Sequence, residues 1–396
     1  MRRVSRAVSG GCDEECTRLS SVRGRGKRKG AAVPGRARGE RVTKLTHRER
    51  VLSSLVRTGY DRIPVKHEGT PEINALLMRH FGVTDHEQLL QVLGDDFRYA
   101  APIYRGPELR TFPDGGAEGL WGERYTPQGY GGGAYLEASY LPFAGVDSLD
   151  ELDRSRFPSA DWYDYSTVKG QCAALRGEYA VCFGNAGHLD FINGIARTRG
   201  VAQVLKDLAT GSPVFQALID ARFGFFHQMH ERALQAAAGL IDIVHVGEDL
   251  GHQGGPLISM KTFERYFAPR YGAYFEMAHS YGAKTMMHLC GCVERFLPRL
   301  IELGLDIEDV VQPTTPEMDI AALHAKYGDR LHFCGTLCVQ TTLPFGTPAE
   351  VEREVRRRLA LFPRGGLFLG PTHAIQVGTP LENILTMYRT AGSLKT

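Results

Sequence analysis

A chain of 396 residues, 43% hydrophobic and 23% charged, has the material for one large packed core. Its length suits a single barrel domain of about 250 to 400 residues. No apolar run approaches the roughly 18 residues of a membrane helix, so a helical membrane protein is excluded. The net charge of +2 is uneven, with +8 in residues 1 to 41 and −6 in the rest, so neither nucleic acid nor membrane is expected as a partner of the main body.

The first segment, residues 1–43, reads as a disordered basic tail. Arg23 to Lys29 is Gly-rich, has no apolar period and lacks the apolar core of a secretion signal. Cys12 and Cys16 have no His or Cys partners nearby, so no metal site is expected there. The fold is expected to begin near Val42, with a capping box at Thr46 and Glu49, and to fill residues 44–396 as one domain. Eight cysteines without a secretory signal predict reduced thiols and a cytoplasmic location.

Eight β-rich runs then alternate with helical periods: 62–67, 97–101, 179–184, 242–246, 284–289, 309–312, 331–335 and 367–370. Helices are expected at 213–237, at 259–279 after a Ser259 cap, and at 347–361, opened by Thr347 and Pro348 with Glu350 behind. Strand and helix in alternation eight times predicts an α/β fold, a (β/α)8 TIM barrel. Residues 103–160, rich in Gly, Tyr and Pro, interrupt this order after the second strand and read as a β-hairpin lid over the catalytic face, with a decorative loop as the alternative.

Barrel chemistry sits where strands end. His288 and Cys290 alternate along one strand end, so both side chains can face the mouth, and an imidazole with a thiolate suits zinc. Glu248, Asp249, Cys338 and His373 are candidates for a third ligand. Glu248 and Asp249 are also candidate acids or bases, only one of which should face inward. His245 reads as core. Asn185, Gln312, Cys338 and Gln340 near strand ends, and His188, His252 and Gln253 on loops, are candidates for substrate or cofactor contact. A buried Cys or His is more often a packing or hydrogen-bonded residue, which is the competing explanation of the His-x-Cys pair.

Four stretches together resemble the uroporphyrinogen decarboxylase superfamily: GEDLGHQGGPLIS (247–259), HLCG (288–291), DRLHFCGTLCVQTTLPFGTPAEV (329–351) and GPTHAIQVGTPLENI (370–384). The resemblance covers about residues 44–393 and implies the same barrel. True decarboxylases carry an Arg-rich, Gln-containing segment after the first strand, whereas this chain reads RIPVKHEGTPEIN; Asp96 stands loosely where the family has a substrate-binding aspartate. The His-x-Cys-Gly motif is similar instead to the zinc- and corrinoid-dependent methyltransferase branch. There the resemblance implies a His288, Cys290, His373 zinc site, with His373 in place of a late Cys before Thr379-Pro380-Leu381-Glu382-Asn383. It also implies methyl transfer between a small methylated substrate, or a thiol or folate-type acceptor, and a corrinoid that is a co-substrate or held on a partner protein. The alternatives are uroporphyrinogen decarboxylation, which belongs to porphyrin biosynthesis and needs no metal, and a non-catalytic tetrapyrrole or corrinoid carrier.

Overall fold

The computed structural model describes residues 44–395; the basic tail and the Cys12 and Cys16 reading lie outside them. Helix α1 (His47–Leu55) starts at its capping box: Thr46 Oγ1 accepts from the Glu49 N–H at 3.1 Å, and the Glu49 carboxylate accepts from the Thr46 N–H at 2.9 Å. The long helix after the lid region runs Pro213–Ala237, as its period predicts. Thr347 likewise caps the helix Pro348–Leu361 through Glu350. The segment expected as one helix over 259–279 is broken into Met260–Tyr266 and Ala268–Ser280. Pro269 lacks an N–H for the preceding turn and disfavours continuous helix through Ala268.

The strands are β1 (Phe97–Ala100), β2 (Arg124–Tyr130), β3 (Gly133–Tyr140), β4 (Ala180–Leu189), β5 (Ile243–Gly247), β6 (Lys284–His288), β7 (Ile307–Asp309), β8 (His332–Cys334) and β9 (Leu367–Phe368). Strands β1 and β4 to β9 form one parallel sheet in that order. Phe97, Cys182, Ile243, Met286, Ile307, Cys334 and Phe368 each come from a different strand and meet in one buried cluster with Val51 and Leu55 of α1. The sheet therefore curls around its own apolar floor, and α1 stoppers the end at which the strands begin.

Where an eighth strand was expected, residues 62–67 make a single bridge pair, Val65 with Leu369. Hydrogen bonds from Lys66 N to Leu369 O (2.9 Å), Leu369 N to Pro64 O (2.8 Å) and Asp96 N to Val65 O (3.0 Å) still join β9 to β1 through this stretch. Pro64 has no N–H to lend a ladder, which shortens the strand without opening the barrel. The other correction concerns 309–312: β7 is Ile307–Asp309, so Asp309 ends the strand and Gln312 lies on the loop beyond. The polar Asp306 and Glu308 disguise this strand in the sequence, although Glu308 is fully buried.

Within 103–160, β2 and β3 pair antiparallel, with the short strand Ala117–Glu118 beside them. At the hairpin tip Tyr130 and Tyr135 stack 4.6 Å apart, and the Tyr135 hydroxyl donates to Gln376. The tip thus touches the loop after β9, three residues past His373. Among the described residues no helix is long and apolar enough to cross a membrane.

Asp96 corrects a further expectation. It immediately precedes β1, at the stoppered end, where its carboxylate accepts from His47 (2.8 Å), Arg50 (2.7 Å), Arg62 (2.8 Å) and the Val65 N–H (2.7 Å). Burial would raise this carboxyl, but the His47 hydrogen bond and the two arginines hold it below the usual range. It is a structural hub, remote from the mouth. Asp96→Ala should therefore lower stability by about 3–5 kcal/mol, because two arginines lose a buried partner. Chemical denaturation checks it; a midpoint equal to wild type would contradict the assignment.

Candidate active site

Inward positions on a strand recur every second residue, so the residue two beyond each member of the floor lies one layer nearer the mouth. Phe97 is followed by Tyr99, Cys182 by Gly184, Ile243 by His245, Met286 by His288 and Ile307 by Asp309. An apolar layer is thus surmounted by a polar one.

Asp309 is its centre. Lys66 Nζ lies 3.5 Å from Oδ1, while His245 Nε2 and His288 Nδ1 lie 3.1 and 3.4 Å from Oδ2. The Tyr99 hydroxyl donates to His245 Nδ1 at 3.2 Å. Burial alone would raise the Asp309 carboxyl, but Lys66 and the two histidines outweigh it and hold the group well below the usual carboxylate range. Burial would likewise lower Lys66, yet Asp309 and Glu68 keep it charged and its pKa raised. For His288 burial is again overcome, by hydrogen bonds to Asp309 and Cys290, and its pKa rises to about 10.

Two cavities open over this layer. The smaller, of about 180 Å³, is bordered by His288, Cys290, His373, Glu248 and Asp249, with Asp190, Asn193 and Arg197 on its other side. The sequence expectation thus assembles residues 125 positions apart around one space. The larger, of about 610 Å³, is bordered by Lys66, Glu68, Tyr99, Asn185, His188 and His245. The two adjoin at Ala186 and Gly187, which border both.

The turn that carries Cys290 is set by its neighbours. Gly291 has φ +89°, and a Cβ there would stand 2.7 Å from the Gly251 carbonyl carbon, so only glycine fits. Gln312 accepts from the Gly291 N–H at 3.0 Å, which makes it a support of the turn rather than a substrate contact. The Cys290 thiol lies 3.2 Å from Asp249 Oδ1, and burial pushes its pKa up. His373 lies with its ring centroid 5.4 Å from that of His288, and burial lowers its pKa.

The adjacent carboxylates divide. Glu248 is buried, and its two oxygens accept from Phe191 N (2.8 Å), Ile192 N (2.9 Å), Asp249 N (3.1 Å) and the Tyr271 hydroxyl (2.6 Å). It latches the N-terminus of helix α2 (Phe191–Arg199) to β5, and burial with the nearby Asp190 pushes its pKa up to about 8. Held by four donors, Glu248 serves the scaffold rather than the acid or base role expected of it. Asp249 receives the Asn193 amide and faces Cys290.

Other expected residues scatter. Asn185 is exposed at the mouth of the larger cavity and accepts from the Gly187 N–H at 2.8 Å. Cys338 is buried near Thr314 and accepts from the Gln340 N–H at 3.4 Å, and exposed Gln340 accepts from Thr314 at 3.4 Å. Neither borders the two cavities. Gln253 is exposed at a hairpin turn beside His252. Sequence reading missed Lys66, Tyr99 and Asp309. It also missed Arg222, which reaches from the long helix to the Leu189 and Asp190 carbonyls and to Gly187 O at 2.9 Å. Leu189 and Asp190 hold φ +63° and +32°, and such backbone strain is kept where surroundings enforce it.

Among the described residues no three His, Cys, Asp or Glu side chains are already gathered tightly enough to form a metal cluster. The donor chemistry nevertheless suits zinc: two imidazoles and a thiol border one space, and His288 gives Nδ1 to a carboxylate, so that a metal binding at Nε2 would displace the second proton its raised pKa retains.

Fold and site define a parallel β/α barrel with its polar groups gathered at the strand ends. The uroporphyrinogen decarboxylase (URO-D) family profile matches residues 136–394, and the chain belongs to that family. A methylated-thiol–coenzyme M methyltransferase of Methanosarcina mazei is 26% identical over 190 residues, which are 48% of this chain and 47% of the relative. The match thus spans about half the length of that curated relative. The solved structure of a methyltransferase from Methanosarcina mazei superposes with a TM-score of 0.58 at 16% identity, over 88% of this chain and 99% of that one, and shares its fold.

The two carboxylates should separate on substitution. Glu248→Ala should cost about 3 kcal/mol or more of stability, since it strands two buried N–H groups and a tyrosine hydroxyl, whereas Asp249→Ala should stay within about 1 kcal/mol of wild type. Denaturation midpoints of the two variants decide it; equal losses would contradict the division.

Proposed function

We propose that this chain is a methyltransferase that moves a methyl group between a small substrate and a corrinoid, free or carried on a partner protein. The observation that carries this reading is the assembly of His288, Cys290 and His373 with Asp249 around one small cavity at the barrel mouth. Membership of the URO-D family and the similarity to methyltransferases support it.

His288, Cys290 and His373 are the residues that would hold zinc, which when bound supplies a Lewis acid for the heteroatom bearing or receiving the methyl group. Asp309 orients His288 by accepting a hydrogen bond from its Nδ1–H. Asp249, oriented by Asn193, stands where it can give a proton to a departing heteroatom or take one from an attacking thiol. In the demethylating direction the carbon–heteroatom bond breaks with its electron pair left on the heteroatom, which takes the proton. The acceptor's lone pair forms the new bond to the methyl carbon. Glu248, Gln312 and Arg222 keep the loops that present these groups in place.

Metal content and methyl exchange test the proposal together. Elemental mass spectrometry of protein purified without chelators should find about one zinc per chain, lost in His288→Ala, Cys290→Ser and His373→Ala. Methylation of reduced cobalamin by methylated thiols, followed by absorbance, should fall about 10²–10⁴-fold in Asp249→Asn and vanish in Cys290→Ser. An unchanged rate in Cys290→Ser would overturn the assignment, and a metal-free protein that turns over uroporphyrinogen would replace it with decarboxylation.

A further inference from the structure

The larger cavity is bordered by two uncharged polar groups that the proposed chemistry does not use, Tyr99 on β1 and His188 on the neighbouring β4. Partners behind the wall fix where their protons lie. The Tyr99 hydroxyl lies 3.2 Å from His245 Nδ1, and His245 Nε2 lies 3.1 Å from the ionised Asp309. A carboxylate only accepts, so Nε2 keeps the one proton of a ring whose pKa burial lowers, and Nδ1 accepts from Tyr99. The Tyr99 proton is therefore committed away from the cavity, and its oxygen offers lone pairs to it.

His188 has the opposite polarity. Its Nδ1 lies 2.7 Å from His230 Nε2, and His230 Nδ1 lies 2.6 Å from the hydroxyl of fully buried Tyr274. A buried hydroxyl keeps a partner for its proton, and among the described residues that partner is His230 Nδ1, so Tyr274 donates there. His230 then donates from Nε2 to His188 Nδ1, which leaves the His188 proton on Nε2, the nitrogen free for the cavity. Both rings are neutral, since burial pushes His188 down to about 3 and His230 well below its ordinary value. The sheet makes room for this arrangement at Gly184, which has φ +94° and where a Cβ would stand 2.6 Å from His230 Cε1.

Lys66 on the same wall leaves no unbalanced charge, because its ammonium is paired with Asp309 at 3.5 Å and with Glu68 at 3.3 Å. Phe183 and Met229 add apolar surface. A space of about 610 Å³ that offers one N–H donor, one oxygen acceptor and no spare charge suits a neutral ligand with the complementary pair. A primary carboxamide has that pair: its carbonyl accepts from His188 Nε2–H and its N–H donates to the Tyr99 oxygen. A carboxylate has no N–H to give and would set lone pairs against those of Tyr99.

We infer that the larger cavity is a subsite for a neutral carboxamide, held between the His188 Nε2–H and the Tyr99 hydroxyl oxygen with its apolar body against Phe183 and Met229. The inference deepens the methyltransferase reading and rests on it for the other end of the substrate, whose heteroatom reaches the adjoining cavity past Ala186 and Gly187. It assigns the small substrate to a class, uncharged methylated compounds that carry an amide.

Calorimetric titration of the full chain with benzamide and with benzoate, which share a shape and differ in charge and N–H groups, tests this without any methyl transfer. Benzamide should bind about tenfold or more tightly, as expected when one probe completes two hydrogen bonds that the other cannot. Tyr99→Phe and His188→Phe should each narrow the ratio, and the double variant should erase it. Tyr274→Phe, at a residue that does not border the cavity, should narrow it too by releasing the His230 proton, and replaces His188→Phe should that variant fail to fold. Equal affinities, a preference for benzoate, no binding of benzamide, or a ratio untouched by the double variant would overturn the subsite. Displacement of bound benzamide by cyanocobalamin would give the subsite to the peripheral amides of the corrinoid, whereas no displacement leaves it with the small substrate. An amide preference in a protein inactive toward corrinoid would keep the subsite and remove the methyltransferase reading, and methyl transfer with no amide preference would remove the subsite alone.

Discussion

A carboxylate inside a β-barrel has to be matched by charge or hydrogen bonds, because the low-polarity interior penalises it otherwise. Here that carboxylate is Asp309, and the groups that match it come from separate places in the chain: Lys66 on the closing segment, His245 on β5 and His288 on β6. Both cavities depend on this one cluster. Lys66 and His245 border the larger and His288 borders the smaller, so the carboxylate that keeps Lys66 charged also orients the imidazole beside Cys290. A single buried anion thus holds the geometry of two adjoining spaces.

The two ends of the barrel use buried charge differently. At the stoppered end Asp96 is saturated by His47, Arg50, Arg62 and a backbone N–H, with no space left beside it. At the mouth the cluster borders open volume, and the loops around it are bent where they meet it. Leu189 and Asp190 take left-handed backbone conformations, held by Arg222 from one side while Glu248 anchors the helix that follows. The apolar floor between the ends, drawn from all seven strands of the sheet with α1 beneath, separates them. Structural ion pairs and chemically available ones are therefore separated by position along the same strands.

Much of this was readable in the residues. Thr46 with Glu49 and Thr347 with Glu350 announce helix starts because a capping box is local, and the apolar strand runs announce the barrel because their spacing repeats. His288 and Cys290 could be placed together at a strand end because period two is a property of any strand. The failures are equally physical. The residue pattern places β7 late because Glu308 is a buried carboxylate that has no hydrogen-bond partner among the described residues, which no hydropathy pattern anticipates. Asp96 was drawn into the site by a loose likeness, although it stands before its strand rather than after it.

The residues in order were sufficient to determine the class of barrel, the capped helices, and the pairing of His288 with Cys290, all of which depend on neighbours within a few positions. Bringing His373 beside that pair, committing Glu248 to helix α2 while leaving Asp249 toward the thiol, and giving Lys66 a buried anion were decided by the tertiary structure alone. The same holds for the hydrogen-bonded contacts of buried His230 with Tyr274 at 2.6 Å and with His188 at 2.7 Å. These relations join residues dozens to hundreds of positions apart, and a hydrogen bond or ion pair depends on distances of a few ångströms that only the closed barrel sets.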